Sequence, residues 1–245
     1  SSAVLLIAPE ALIMPMRALD GDTMNDPPYL YWAYETMAAS IYWAVNHGAH
    51  IIQVASSLPS SEPVMWQAVR YAYSKNVVVS TSAGNVSRAQ WGISNEDKMY
   101  RSFDHEVLLV GGVERKWGKY IPWQFSLPGP QVSVAVPSAD VFAVVPTYME
   151  GVKDDYIAGT SIASPLVSGV VALMLSAAPS PPRLLEQPGA YVRLISDALK
   201  DTARLDVLGL SEPNDIVGRG LVDAYAAIKA LQKKVAGVAA NRSTQ

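Results

Sequence analysis

The chain of 245 residues contains no cysteine, only three histidines and few charged residues, 17% of the total. Without cysteine, a disulfide scaffold and a cysteine-ligated zinc site are excluded. The formal net charge of −3 gives no reason to expect nucleic acid or an acidic membrane surface as a partner. Residues 1–6 lack the basic segment and the long apolar run of a signal peptide. What is present is a chain that is half hydrophobic and long enough for one α/β domain.

The longest stretch without charge runs from 156 to 182. It is long enough to cross a membrane. Pro165 and the prolines that follow residue 178 limit the helix to an ordinary length, and small residues enrich its start. We therefore interpret the stretch as a core helix and predict no membrane span.

Apolar runs of strand length alternate with helical spacing along the chain. Strands are predicted at 11–18, 51–55, 76–80, 107–110 and 132–136, and helices at 30–46, 64–73, 161–178, 190–203 and 221–233. This alternation predicts a three-layer α/β fold, a mainly parallel sheet with helices on both faces. Residues 1–233 form one predicted domain, followed by a frayed tail at 234–245. In such sheets the site lies at the carboxyl ends of the strands.

One segment has the composition of a nucleophile site. Gly159-Thr160-Ser161 is followed by small residues and then by the long apolar helix. Small neighbours let a substrate backbone approach the serine hydroxyl. Free N–H groups at a helix start favour nearby negative charge, such as an oxyanion on an attacked carbonyl. The segment therefore predicts Ser161 as a nucleophile, although the Gly-x-Ser-x-Gly elbow of α/β-hydrolases is absent.

A second segment places an asparagine directly after a predicted strand. The strand at 76–80 leads through small residues to Asn85, which falls at the carboxyl edge of the sheet. The carboxyl edge of a parallel sheet is where a binding or catalytic side chain is expected. The alternative is that Asn85 is a turn residue that tolerates a left-handed backbone.

These two segments resemble the nucleophile and oxyanion segments of the subtilisin-like serine peptidases, the subtilases. Three further segments match the family in its order: 8–11 resembles its Ala-Pro-x-Ala motif, 125–137 its Phe-Ser…Gly-Pro…Ala-Pro-Gly segment, and 218–223 its Gly-x-Gly turn. The resemblance extends from about residue 8 to residue 233. It implies a serine endopeptidase that acts on peptide or protein substrates, with Ser161 as nucleophile and Asn85 as oxyanion donor.

The resemblance also implies a set of substrate-binding positions. Ser56 and Ser57 replace the leucine and glycine of the family's Ser-Leu-Gly strand. A peptide can still pair with this strand through its main chain, whereas the pocket shapes differ from the family pattern. The wall of the pocket for the residue before the scissile bond is assigned by resemblance to Ser82, Ala83 and Gly84.

A serine hydroxyl needs a base and a group that orients the base. Subtilases supply these as Asp, His and Ser along the chain, with the histidine about 157 residues before the serine. Counted back from Ser161, that position falls near the start of this sequence, where no histidine occurs. His47 and His50 end a predicted helix instead of beginning one, so we interpret them as solvated helix-end residues. His105 is interpreted as a surface residue.

Two explanations for the missing partners stay open. Either a segment with the Asp and His belongs to another chain or was removed, which makes the domain N-terminally incomplete, or the protein is a degenerate subtilase. Truncation is favoured, because a degenerate domain more often keeps its first strands and loses single side chains. The degenerate form is an inactive scaffold or peptide-binding module. A sheet without its first strands exposes apolar edges, so we expect another chain or a second copy to cover them.

The resemblance allows a structural calcium ion, but the sequence identifies no site for it. Asp20 and Asp22 lie in a turn-rich loop that can bind a cation, and nothing else supports a metal there. We expect no other cofactor and no nucleic-acid partner. The family favours a secreted or extracellular location.

Overall fold

The structure, a computed structural model, describes residues 2–18, 27–55, 62–85, 106–143, 155–179 and 182–240. The helices are α1 (Ser2–Ile7), α2 (Pro27–Asn46), α3 (Pro63–Ser74), α4 (Thr160–Ala177), α5 (Pro182–Glu186), α6 (Ala190–Thr202) and α7 (Ala224–Ala240), with a 3₁₀ turn at Asp206–Leu208. The strands are β1 (Ile51–Val54), β2 (Val78–Ser82), β3 (Val107–Lys116), β4 (Lys119–Pro122), β5 (Val134–Pro137), β6 (Val141–Ala143) and β7 (Asp155–Ile157).

The main sheet is largely parallel. β1, β2, β3 and β5 lie side by side in that order and run in the same direction, while β4 pairs antiparallel with the end of β3. The register sets Ser82 of β2 beside Val110 of β3, and Val110 beside Val134 of β5. β6 and β7 form a separate antiparallel ribbon that leads into α4. The mainly parallel sheet predicted from the sequence is confirmed.

Helices cover both faces of the sheet. Successive strand residues point to opposite faces. Val79 and Leu109 accordingly pack in the core cluster formed with α2 and α3. Val78 and Leu108 pack in a second cluster, with α4, α6 and α7. Both faces are buried, which explains why these strands are nearly continuous apolar runs, and the three-layer prediction is confirmed.

α4 lies inside the molecule, as the core-helix interpretation predicts. Among the described residues it is the one helix long and apolar enough to cross a membrane, and 61% of it is buried in the protein. Its first turns are tied to the sheet by hydrogen bonds. The hydroxyl of Ser80 on β2 donates to the carbonyl of Ser164 (3.2 Å), and the side-chain amide of Gln53 on β1 donates to the Ser164 hydroxyl (3.1 Å). These bonds fix where the start of α4 stands relative to β1 and β2.

The strand predicted at 11–18 is wrong. The segment is not paired with any strand in the described part of the chain, and β1 pairs there with β2 alone. An apolar run becomes a strand only where a neighbour completes its hydrogen bonds. The segment instead exposes large apolar side chains, and Leu12 is 98% exposed.

The last helix extends past its predicted end at 233. α7 continues to Ala240, and Val235 and Val238 pack against the core cluster below α4. The ammonium group of Lys234 lies 3.1 Å from the carboxylate of Asp201 on α6. Part of the predicted tail is therefore helical and in contact with the domain.

Candidate active site

Three segments meet at the carboxyl edge of the sheet. Asn85 follows β2 and forms a single antiparallel bridge with Ser126. Gly159 precedes α4, and its N–H donates to the carbonyl of Ser138, the residue after β5 (2.7 Å). Ser161 is the second residue of α4 and is half-buried. The structure therefore brings Asn85 and the segment of Ser161 together.

The carboxamide of Asn85 is held in one orientation by Thr160. Its Oδ1 accepts hydrogen bonds from the Thr160 N–H (2.9 Å) and from the Thr160 hydroxyl (3.0 Å). The same hydroxyl accepts a hydrogen bond from the Gly84 N–H (3.0 Å). Oδ1 and Nδ2 are the two substituents on the same amide carbon, so holding Oδ1 on Thr160 also fixes the position of the two Nδ2–H donors. Asn85 is exposed, so these donors are accessible.

Two nitrogen atoms lie near Gly159, a residue that is itself buried. A Cβ atom added to Gly159 would stand 3.6 Å from Nδ2 of Asn85 and 3.8 Å from the backbone N of Ser161, with no closer heavy atom apart from those of its two chain neighbours. The N–H of Ser161 lies in the first helical turn, where the helix itself offers no acceptor. Stabilisation of an oxyanion requires N–H donors that lie close together, and the Nδ2 group of Asn85 and the N–H of Ser161 are two such donors.

Of the three residues of the predicted pocket wall, Ser82 ends β2, and Ala83 and Gly84 follow it. Ser82 and Ala83 are buried, whereas Gly84 is partly exposed. The Ala83 N–H donates to the Val110 carbonyl (2.9 Å), and the Gly84 carbonyl accepts from the Leu127 N–H (2.9 Å). Of the three residues, Gly84 is therefore the one with surface to offer a ligand. The other predicted binding residues, Ser56 and Ser57, lie outside the described residues.

The two described histidines lie at the opposite edge of the sheet. His47 follows α2, with its Nδ1 2.7 Å from the Trp43 carbonyl and its ring stacked on Trp43 at 3.8 Å. His50 immediately precedes β1. Both are exposed. Because the four residues of β1 span about 13 Å, neither ring is close to the carboxyl edge where Ser161 stands.

The described residues contain no group of three or more His, Asp or Glu side chains that could hold a metal ion. Asp20, Asp22 and His105 lie outside the described residues. The possible calcium ion stays a prediction without a site.

The role of Thr160 in holding the Asn85 side chain is not visible in the sequence. The sequence marks it only as a small neighbour of the serine, whereas the structure shows that its backbone and side chain both fix Asn85. A hydroxyl residue directly before a helix-start serine can reach a loop from an adjacent strand. That adjacency depends on the sheet order, which the sequence alone does not reveal.

A sequence model of the subtilase family, peptidase S8, matches residues 3–225. Among curated proteins, Subtilisin DY of Bacillus licheniformis is 29% identical over 182 residues, 74% of this chain and 60% of that protein. Thermitase of Thermoactinomyces vulgaris is 26% identical over 229 residues, 94% of this chain and 69% of that protein. An intracellular serine protease of Paenibacillus polymyxa is 28% identical over 196 residues, which are 79% of this chain and 55% of that protein. The chain thus spans between 55% and 69% of these relatives.

Solved structures show the same fold. Fervidolysin from Fervidobacterium pennivorans, a keratinolytic enzyme related to subtilisin, superposes with a TM-score of 0.60 at 25% identity, over 80% of this chain and 29% of that one. The MycP3 protease of the type VII (ESX-3) secretion system gives a TM-score of 0.63 at 23% identity, over 93% of this chain and 72% of that one. The second likeness supports the fold alone.

Proposed function

Since this chain belongs to the subtilase family, we propose that it is the nucleophile-bearing part of a serine endopeptidase. The Ser161 hydroxyl oxygen attacks the peptide carbonyl while its proton passes to a base, and the carbonyl oxygen becomes an oxyanion. Nδ2 of Asn85 and the Ser161 N–H stabilise that charge. The intermediate then expels the amine, which takes a proton, and water hydrolyses the acyl-enzyme. The observation that supports this proposal is the Thr160-held amide of Asn85, whose Nδ2 lies within 4 Å of the same position beside Gly159 as the backbone N of Ser161.

The base has to come from outside the described residues. His47 and His50 are at the other edge of the sheet, and no other histidine lies in the described ranges. We propose that another segment or another chain supplies the base and the carboxylate that orients it. The second candidate function, an inactive scaffold or peptide-binding module, is favoured by the same position of these two histidines.

Labelling with a fluorophosphonate probe separates the two functions. We expect one adduct per chain, located on Ser161 by peptide mapping and lost in Ser161→Ala. Ser211→Ala, which changes an exposed serine elsewhere, is the matched control and should label normally. Absence of an adduct from a chain that still unfolds cooperatively would favour the scaffold and contradict the enzyme.

We also propose that residues 11–18 and the outer edge of β1 are covered in the functional protein. The segment exposes Leu12, Ile13 and Met14, and among the described strands β1 pairs with β2 alone. A strand edge without a partner favours association, and so do exposed apolar side chains. A second copy of this chain is the simplest partner, because self-association covers the segment without any other protein.

Sedimentation velocity tests this association. The chain should form larger species as its concentration rises, and Leu12→Ser/Met14→Ser should shift it to monomer. Leu185→Ser, at an exposed leucine on α5, is the matched control and should not. A chain that is monomeric at every concentration would rule out self-association through this segment.

Family membership does not assign a compartment, because the relatives include a protease named as intracellular. The extracellular location implied by the resemblance stays a prediction.

A further inference from the structure

The hairpin between β3 and β4 ends in an unusual tip. We call residues 115–119, Arg-Lys-Trp-Gly-Lys, the basic tip. Trp117 is 92% exposed, more than any other tryptophan among the exposed apolar residues. Arg115 and Lys119 are exposed, and the Lys116 side chain is 40% exposed. An exposed indole thus lies within a five-residue segment that carries three cationic side chains.

The backbone of the basic tip is unfavourable for the residue that it carries. Trp117 has φ of 51° and Gly118 has φ of 78°, the two positive values of a tight two-residue hairpin turn. Glycine or asparagine adopts the first position easily, whereas a bulky residue there is strained. Trp117 therefore occupies this turn position against the local conformational preference.

The charges of the basic tip are also arranged against stability. Lys116 and Lys119 are direct partners across the two strands. Like charges at directly opposite positions destabilise a hairpin. Lys116 has one compensating contact, since its ammonium group lies 2.9 Å from Glu114. Local choices that weaken a fold are expected at sites retained for function.

The chemistry of the basic tip points to an anionic membrane surface. Tryptophan is enriched at the level of lipid headgroups, because its ring is apolar and its N–H is polar. Lysine and arginine are attracted to anionic lipids. Residues 114–119 carry three positive charges and one negative charge, a local +2, on a chain whose net charge is −3. We infer that the basic tip docks the protein on anionic bilayers, with Trp117 at headgroup depth.

A planar surface suits this tip better than an acidic peptide does. The turn is a convex projection at the end of a two-stranded ribbon, so it presents a point of contact and no groove. The whole-chain charge conceals this surface in the sequence, since the negative charges elsewhere outnumber the local cations.

The position of the basic tip relates docking to the candidate active site. Val110 of β3 lies beside Ser82, the last residue of β2, and β3 continues from there to Lys116. The hairpin therefore extends beyond the carboxyl edge of the sheet, the edge that also carries Asn85. Docking through the tip would bring that edge towards the membrane. This inference is independent of whether Ser161 is active.

Vesicle co-sedimentation tests the inference. We expect the chain to sediment with vesicles of phosphatidylcholine and phosphatidylserine, and to stay in solution with phosphatidylcholine alone. Added salt should weaken the binding. Arg115→Gln/Lys119→Gln should lower partitioning by about 25-fold, about fivefold for each cation. Trp43→Ala, at another exposed tryptophan, on α2, is the matched control and should bind normally.

Trp117→Asn separates a docking role from a structural role. Asparagine relieves the strained turn, so this variant should melt about 2–4 °C higher while vesicle binding is lost. Undiminished binding of Trp117→Asn, or equal partitioning to both kinds of vesicle, would overturn the inference. Binding to soluble polyglutamate as tight as to anionic vesicles would overturn it in favour of an acidic protein partner.

Discussion

Replacing Asn85 with alanine is expected to slow acylation of Ser161 by about 10²–10³-fold, read as the second-order rate constant of fluorophosphonate labelling. This range comes from removal of an oxyanion donor in a subtilisin and is applied here through family membership. The physical reason is the loss of the Nδ2 donor, which Thr160 holds near Gly159 and the backbone N of Ser161. Charge that develops on the attacked centre is then left with the Ser161 N–H.

Asn85→Asp distinguishes the donor from a turn residue. Aspartate has the same size and can still accept the two hydrogen bonds from Thr160, but it has no N–H and carries a negative charge. A catalytic donor predicts that Asn85→Asp labels as slowly as Asn85→Ala or more slowly. Normal labelling of the aspartate variant would identify Asn85 as a turn residue and remove it from the site.

Replacing Gly218 with alanine is expected to prevent stable folding or to cost more than about 4 kcal/mol of unfolding free energy. The added Cβ would stand 2.3 Å from the Val132 carbonyl oxygen and 2.6 Å from the carbonyl carbon of Ser133. Both are backbone atoms beside β5 and cannot rotate away. Gly218 also has φ of 56°, which favours glycine by itself.

Gly209→Ala is the matched control that measures the cost of a positive φ without a steric clash. Gly209 has φ of 67°, and a Cβ atom added there would meet no heavy atom within 4 Å. The variant should lose only the positive-φ cost, about 1–3 kcal/mol. The difference between the two variants in urea denaturation isolates the close approach of the turn to the strand. Equal losses would show that steric contact with the strand contributes nothing.

The sequence predicts α4 almost to the residue, at 161–178 against Thr160–Ala177. A long uncharged run followed by prolines leaves few alternatives. The strand predicted at 76–80 is shifted, since β2 runs from Val78 to Ser82. Asn76 has φ of 59° and belongs to the turn after α3, while the three hydroxyl residues of β2 are buried and Ser80 among them is hydrogen-bonded to α4. Composition identifies the strand, and tertiary contacts set its bounds.

The strand at 11–18 cannot be judged from the sequence, because its apolar pattern says nothing about whether a partner strand is present. The sequence predicts that β3 ends at Val110, but the strand continues through Gly111 and Gly112 to Lys116. The two glycines interrupt the apolar run in the sequence and yet lie in the ladder with β5. Sheet pairing is a long-range property that local pattern does not contain.

The candidate site is predictable in its residues and not in its geometry. Small residues around Ser161 indicate the nucleophile, and the resemblance of the segment that ends in Asn85 to the subtilases indicates the second group. The contact that joins them, from Thr160 to Asn85, crosses 75 positions of sequence. It depends on α4 lying directly above β2, which only the folded chain shows.

The side-chain amide of Asn85, observed by ¹H–¹⁵N NMR, tests the central claim most directly. A peptide boronic acid forms a tetrahedral anionic adduct with a serine hydroxyl, which imitates the intermediate of acyl transfer. The account predicts that the adduct forms on Ser161 and shifts the two Nδ2 proton signals of Asn85, and that Ser161→Ala abolishes the shift. An adduct on Ser161 that leaves those signals unmoved would contradict a shared oxyanion site.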